Sequence, residues 1–231
     1  MKRIGTWISG MLVALILTHG SAAGGVIWNE VGDAGDALVT ANTTMGGSSL
    51  MAIIGTLPDN DPNGVDLFKL SIPDPSQFSA TTDNFPNTEL FDSWLYLFDE
   101  DGRGIAASAS SVGGSFNATI AMGTVAAPAG TFYLAVTRLD AVPESAAGAI
   151  FPDLVFGSID GEVLGPTGPG GADPLSSWSF LPSFEPAEAY RIDLTGAEPA
   201  DNTTAVIPEP ASGIIWIVAT AIAGRRFRRR R

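Results

Sequence analysis

Apolar and polar positions along this chain alternate in short runs, with no sustained helical period. Residues 65–72 (VDLFKLSI) set Phe68, Leu70 and Ile72 against Lys69 and Ser71, the period-two pattern of a half-buried strand. Residues 91–98 (FDSWLYLF) are almost continuously apolar and aromatic, as expected of a central strand covered on both faces. Residues 131–139 (TFYLAVTRL) give the clearest strand, and residues 189–196 (AYRIDLTG) give the last one before the tail. Shorter strands are expected within 48–56, 77–82 and 105–109, the last as the return of a hairpin whose turn is Asp99-Glu100-Asp101-Gly102. Residues 24–51 read as an irregular lead with one or two short strands and a turn-like acidic patch, Asp33-Ala34-Gly35-Asp36. Residues 143–174, with GPTGPGG at 165–171, read as a long Gly- and Pro-rich loop. Many short strands separated by turn clusters predict an all-β sandwich.

The two ends follow different rules. Lys2 and Arg3 precede a mostly apolar run over 4–17, and small residues follow, with Ser21 and Ala23 at −3 and −1 of a cleavage site after Ala23. Residues 1–23 are therefore expected to be a helical signal peptide, removed by signal peptidase. At the other end Pro208-Glu209-Pro210 precedes ASGIIWIVATAIAG (211–224) and then RRFRRRR. As a helix, residues 211–224 would span about 21 Å, short of a hydrocarbon core of about 30 Å, although Val206, Ile207 and snorkelling arginines narrow the gap. Arg225, Arg226, Arg228, Arg229, Arg230 and Arg231 set the expected orientation, basic tail inside and acidic body outside.

Charge sharpens this division. The chain has 231 residues and a net charge of −13, yet between residues 24 and 209 only Lys69, Arg103, Arg138 and Arg191 stand against all 25 acidic residues, a net −21. Such a body repels phosphate backbones, so no nucleic-acid partner is expected. Cysteine is absent and the one histidine is His19, inside the signal segment. The body thus has no thiol nucleophile, no Ser-His-Asp triad, no disulfide and no ordinary zinc or copper site.

Pro-Glu-Pro, a short apolar helix and a terminal arginine cluster, in that order, resemble the PEP-CTERM sorting signal. That resemblance implies processing near Pro208, Glu209 and Pro210 by an exosortase-type membrane enzyme, during delivery to the cell envelope, cell surface or extracellular matrix. The segments VDLFKLSIPDPSQFSATT, FDSWLYLFDEDGRGIAA, PAGTFYLAV and AYRIDLTGA, across about residues 32–197, resemble the bacterial pre-peptidase C-terminal domain family. The Ala-Ser-rich return at 106–111 departs from it, since many relatives carry Asn-Asp pairs there. This second resemblance implies a jelly-roll-like β-sandwich with an accessory or adhesion role, calcium-dependent in some members and without catalysis. The expected organisation is signal peptide 1–23, sandwich 24–197, linker 198–206 and sorting signal 207–231, with a transient membrane helix at 211–224.

Two acidic turns are candidate metal sites. DNDPNG (59–64) matches the first six positions of a calcium loop, with oxygen ligands Asp59, Asp61 and Asn63 at alternating positions and Gly64 at the turn. The twelfth position is Leu70 where an EF-hand needs Glu, and Asp66 is the nearest substitute. Asp99 and Asp101 form the second group. For both turns a calcium site and a plain solvated turn remain alternatives; no cofactor is required, and calcium is the one candidate. Trp94 and Tyr96 read as core, whereas Trp178 is the better candidate for an exposed sugar-stacking aromatic. The functional expectation is an exported, non-enzymatic adhesion or ligand-binding module, with exopolysaccharide or matrix as candidate partner. The alternative is a secreted hydrolase or carbohydrate-binding accessory domain using carboxylates.

Overall fold

Alternation in the sequence becomes two layers of strand in a computed structural model, which describes residues 24–58, 64–83, 92–109, 117–138, 141–152, 162–180 and 187–201. In chain order the strands are β1 (Val26–Asn29), β2 (Asn42–Thr43), β3 (Leu50–Leu57), β4 (Val65–Ile72), β5 (Ser79–Asp83), β6 (Ser93–Asp99), β7 (Gly104–Ser108), β8 (Thr119–Ile120), β9 (Gly130–Arg138), β10 (Val142–Ser145), β11 (Gly148–Ala149), β12 (Ser177–Ser179) and β13 (Glu188–Pro199). A 3-10 turn, Pro75–Gln77, links β4 to β5; Asp74 caps it by accepting from the Ser76 amide. The protein is all-β and sandwich-like. No helix among the described residues is long and apolar enough to cross a membrane. The terminal helices expected at 1–23 and 211–224 lie outside the described residues.

The first layer runs β1-β3-β13-β5-β8 and the second β4-β9-β6-β7, with β2 beside β4. Pairing is antiparallel except for β1 on β3 and β2 on β4, which are parallel. β13 belongs to both layers. Its first part pairs with β3 and β5, and Glu198 and Pro199 then pair with Ser71 and Leu70 of β4. The chain turns between layers at Gly196, whose φ is +69°. A Cβ there would lie 2.5 Å from the carbonyl oxygen of Gln77, so both conformation and space require glycine. Glu198 and Pro199, expected to begin the linker, are thus the last residues of a strand, and Asp201 bridges to Met45.

One core lies between the layers. It joins Ile53, Leu57, Ile192 and Leu194 of the first to Phe68, Leu70, Leu95, Leu97, Leu134 and Val136 of the second. A second core covers the outer face of the second layer, where Val65, Leu67, Trp94, Tyr96, Phe98, Tyr133 and Ala135 meet Ile150 and Phe151. The cover is the stretch expected to be a loop. Within 141–180, β10, β11 and β12 form a small antiparallel sheet, and Leu164 bridges to Ala107 of β7.

This second core changes two expectations. β4 is not half-buried: both of its rows are covered, and only Lys69 and Ser71 keep partial exposure. Trp178 is not an exposed platform. It packs edge-on to Tyr96 and Phe98, with ring centroids 5.6 and 6.2 Å away, and its indole N–H donates to the Asp36 carbonyl at 2.7 Å. Trp94 and Tyr96 are core, as their setting in an apolar run implied. β8 had no sequence signal, being two residues long.

Replacing Gly196 by Ala is expected to cost about 1–3 kcal/mol, because a side chain is forced into a left-handed conformation against the Gln77 carbonyl. Urea unfolding of the two proteins measures this; an unchanged midpoint would contradict the crossing as described.

A candidate metal site at the acidic end

Strand register places one group of carboxylates at a single end of the sandwich, where β1 and β3 finish and β4 and β13 begin. Asp66 is the second residue of β4, on the same row as Phe68, Leu70 and Ile72, so it faces the interior and is fully buried. The Tyr190 hydroxyl donates to its Oδ2 at 2.5 Å. Tyr190 itself packs edge-on to Phe68. Burial, then the negative charges of Asp66 and Glu30, push the Tyr190 hydroxyl well above the ordinary tyrosine range, so it stays a donor.

Glu30 follows β1 and turns back over β3. Its Oε2 accepts from the Thr56 amide at 2.8 Å and its Oε1 from the Ala34 amide at 3.0 Å. Gly55 makes this approach possible, since a Cβ there would stand 2.2 Å from the Tyr190 hydroxyl and 2.5 Å from Glu30 Oε2. Asp33 Oδ1 accepts from the Gly35 amide, which folds the turn back toward the sandwich. The Gly35 carbonyl then accepts from the Leu67 amide at 3.0 Å, tying this segment to β4.

One carboxylate oxygen from each of Glu30, Asp33 and Asp66 comes together within 4.8 Å of the others. Oxygens around a calcium ion, at 2.3–2.6 Å from it, stand up to about 5 Å apart, so this spacing fits a hard cation. Asp66 is buried, Glu30 half-buried and Asp33 exposed, so the repulsion among the three is least screened on the side of Asp66 and Glu30. Glu30 shows the strain: burial foremost, with a contribution from Asp33, raises its carboxyl above the ordinary value, against the lowering effect of its two amide donors. A shared proton or a cation relieves the repulsion.

The other residues named from sequence are placed differently. Asp59, Asp61 and Asn63 lie outside the described residues, as do Ala23, Pro208, Glu209, Pro210 and the terminal arginines. Nearby, Arg138 Nη2 donates to the Leu57 and Pro58 carbonyls at 3.2 and 2.9 Å while its Nε pairs with Glu188 at 3.4 Å. Asp99 does not join Asp66. Its Oδ1 accepts from the Asp101 and Arg103 amides at 3.0 and 2.8 Å, and Asp101 stands 4.0 Å from the Arg103 guanidinium. Turn closure thus accounts for the Asp99 carboxylate. Sequence reasoning passed over Glu30 as a ligand and saw Asp33 only as a turn. Nothing local links either to Asp66, 36 positions beyond Glu30 in the chain. No protein-family model matches the chain, and no curated protein matches it.

The raised Glu30 carboxyl has a defined pH consequence. The folded state holds the proton more tightly than the unfolded one, so the Glu30 contribution is most favourable below the ordinary value of 4.5 and is lost as pH rises through the higher folded value. In a chelator, wild type is therefore expected to lose stability relative to Glu30→Gln as pH rises across that window. Paired melting temperatures at a series of pH values measure the difference, and parallel curves would refute it.

Proposed function

We propose that this chain is an exported, non-enzymatic surface or matrix protein, sorted through a PEP-CTERM/exosortase-type system, whose β-sandwich acts as an adhesion or ligand-binding module. The observation that carries this is the ordered signal at the C-terminal end, Pro208-Glu209-Pro210, residues 211–224 and six arginines, set against a body of net −21. The sandwich is read as jelly-roll-like and similar to the pre-peptidase C-terminal domain on the sequence segments named above, and its all-β, two-layered build is the coarser feature that supports the reading. Processing by signal peptidase after Ala23 and by an exosortase near Pro208 would leave the acidic body at the envelope, surface or matrix, free of its basic addresses.

Calcium is the proposed cation, and Glu30, Asp33 and Asp66 are the residues proposed to hold it. An ion there would join the lead segment to β4 and neutralise charge that otherwise opposes folding. Millimolar calcium is expected to raise the melting temperature over that in chelator, by less in Asp33→Asn; equal melting temperatures would remove calcium from the proposal.

Mass spectrometry of the mature protein from its native host tests the sorting route. Loss of residues 1–23 together with truncation near Pro208 is expected, and an intact arginine tail on the mature surface form would overturn it. Incubation with host exopolysaccharide is expected to give retention without new reducing ends, whereas release of reducing sugar would establish a hydrolase instead.

A further inference from the structure

All the sulfur of the body lies in three methionines, Met45, Met51 and Met122. The chain has no cysteine, and its other two methionines, Met1 and Met11, precede residue 24. Methionine ordinarily fills gaps in a core. None of these three does so: they are 51, 52 and 51% exposed, and neither core contains one. Thioethers placed in this way are open to oxidants in water, and no thiol competes for the oxidant.

Met51 differs from the other two in what its side chain covers. β1 steps from Val26 opposite Leu50 to Ile27 opposite Ala52, so Met51 is an extra residue on β3. β13 skips it as well, passing from Asp193 opposite Ala52 to Ala197 opposite Leu50. A bulge of this kind re-aims the side chain of the extra residue. Met51 Cγ and Sδ lie across the backbone of Gly25, in the space that a Cβ there would need. The thioether thus covers the segment by which the chain enters the sandwich.

Little else holds that segment. The Ser48 hydroxyl donates to the Gly24 carbonyl at 2.9 Å, and the Val26 amide donates to the Ser49 carbonyl at 2.7 Å. β1 is four residues long, and among the described residues it pairs with β3 alone. Trp28 is anchored separately, packed against the core between the layers with its indole N–H donating to Asn42 Oδ1 at 3.2 Å. The chain exit is close by. The Gly46 amide donates to the Asp201 carbonyl at 3.1 Å, and a Cβ on Gly46 would stand 2.8 Å from the Val26 side chain. Entry and exit therefore share one end.

We propose that Met51 is an oxidant-responsive latch, whose conversion to the sulfoxide by a peroxide releases residues 24–27 from β3. A sulfur lone pair attacks one peroxide oxygen, so that an S–O bond forms as the O–O bond breaks. Sulfur is oxidised by two electrons, and the departing hydroxide takes the proton of the transferred oxygen and leaves as water. The product is polar, and a sulfoxide kept on the Gly25 backbone would give up hydration. Solvation of the new oxygen draws the side chain off Gly25. Residues 24–27 respond because they have few other contacts, and the Trp28 anchor limits the opening to them. The inference depends neither on the sorting route nor on the cation.

Full-length protein in detergent is treated with hydrogen peroxide, mapped by peptide mass spectrometry and followed by amide hydrogen exchange. In Met45→Leu/Met122→Leu, Met51 is the one thioether left in the body. Its oxidation is expected to speed exchange of the Val26 amide severalfold, to leave the amides of β9 unchanged, and to be reversed by methionine sulfoxide reductase. Wild type is expected to behave alike. Met51→Leu keeps an apolar cover of similar volume, and peroxide is expected to leave its Val26 amide unchanged. Sulfoxide at Met51 with unchanged Val26 exchange would overturn the latch, as would a Met51 that stays reduced while Met45 and Met122 oxidise. Equal loosening in oxidised Met51→Leu would place the effect at another residue and overturn the assignment. Loss of protection extending to β9 would make Met51 a general stability contact and overturn the local release.

Discussion

Burial of the second layer on both of its faces is the constraint on which the remainder of the structure depends. β6 alternates Leu95 and Leu97 toward the first layer with Trp94, Tyr96 and Phe98 toward the other side. A sheet that is apolar on both faces cannot leave either in water. The first layer covers one face; residues 141–152, 162–180 and the lead segment cover the other. Ring contacts among Tyr96, Phe98, Phe151 and Trp178, at 5.5–6.4 Å between centroids, fix how the cover sits. Such pairs contribute about 0.5–1.5 kcal/mol each beyond the area that they bury. The Tyr96 hydroxyl meets the Ala141 carbonyl at 2.9 Å, so the cover also satisfies the polar atom that an aromatic core strand brings inside.

The same arrangement explains the acidic end. To reach the outer face, the lead segment must pass around the end of the sandwich, between β1 and β2. That route carries Glu30 and Asp33 to the start of β4, where Asp66 already occupies a core-facing position. The carboxylates meet because the chain needs this passage for its cover. Backbone amides of Ala34, Thr56 and Gly35 partly balance them, and the Tyr190 hydroxyl serves Asp66 from within.

Local pattern made much of the strand framework legible. Period two in residues 65–72 and the apolar run at 91–98 report their own burial, and Pro73, Pro75 and the Asp-Gly turn report their own ends. Local pattern could not reveal the cover. Residues 143–174 have the Gly and Pro content of a loop, and around 165–171 the chain is packed by close backbone contact: a Cβ on Gly168, Gly170 or Gly171 would stand 1.9–2.3 Å from a carbonyl oxygen. Glycine in such a place looks the same in sequence as glycine in a mobile linker. Trp178 was misread for the same reason, since its partners Tyr96 and Phe98 lie some 80 residues earlier. Asp66 was singled out as a spare ligand for the adjoining loop, but its companions come from the lead segment.

From its sequence alone this chain is a −21 body between two basic, apolar ends, built of short strands and without histidine or cysteine in the body. Those properties are sums and local periods, which no folding can alter. Tertiary structure alone decided which carboxylates meet, that the described parts of a Gly- and Pro-rich stretch cover the second layer, and that entry and exit share one end. Each of these depends on contacts between residues far apart in the chain, and strand register, not spacing along the sequence, sets them.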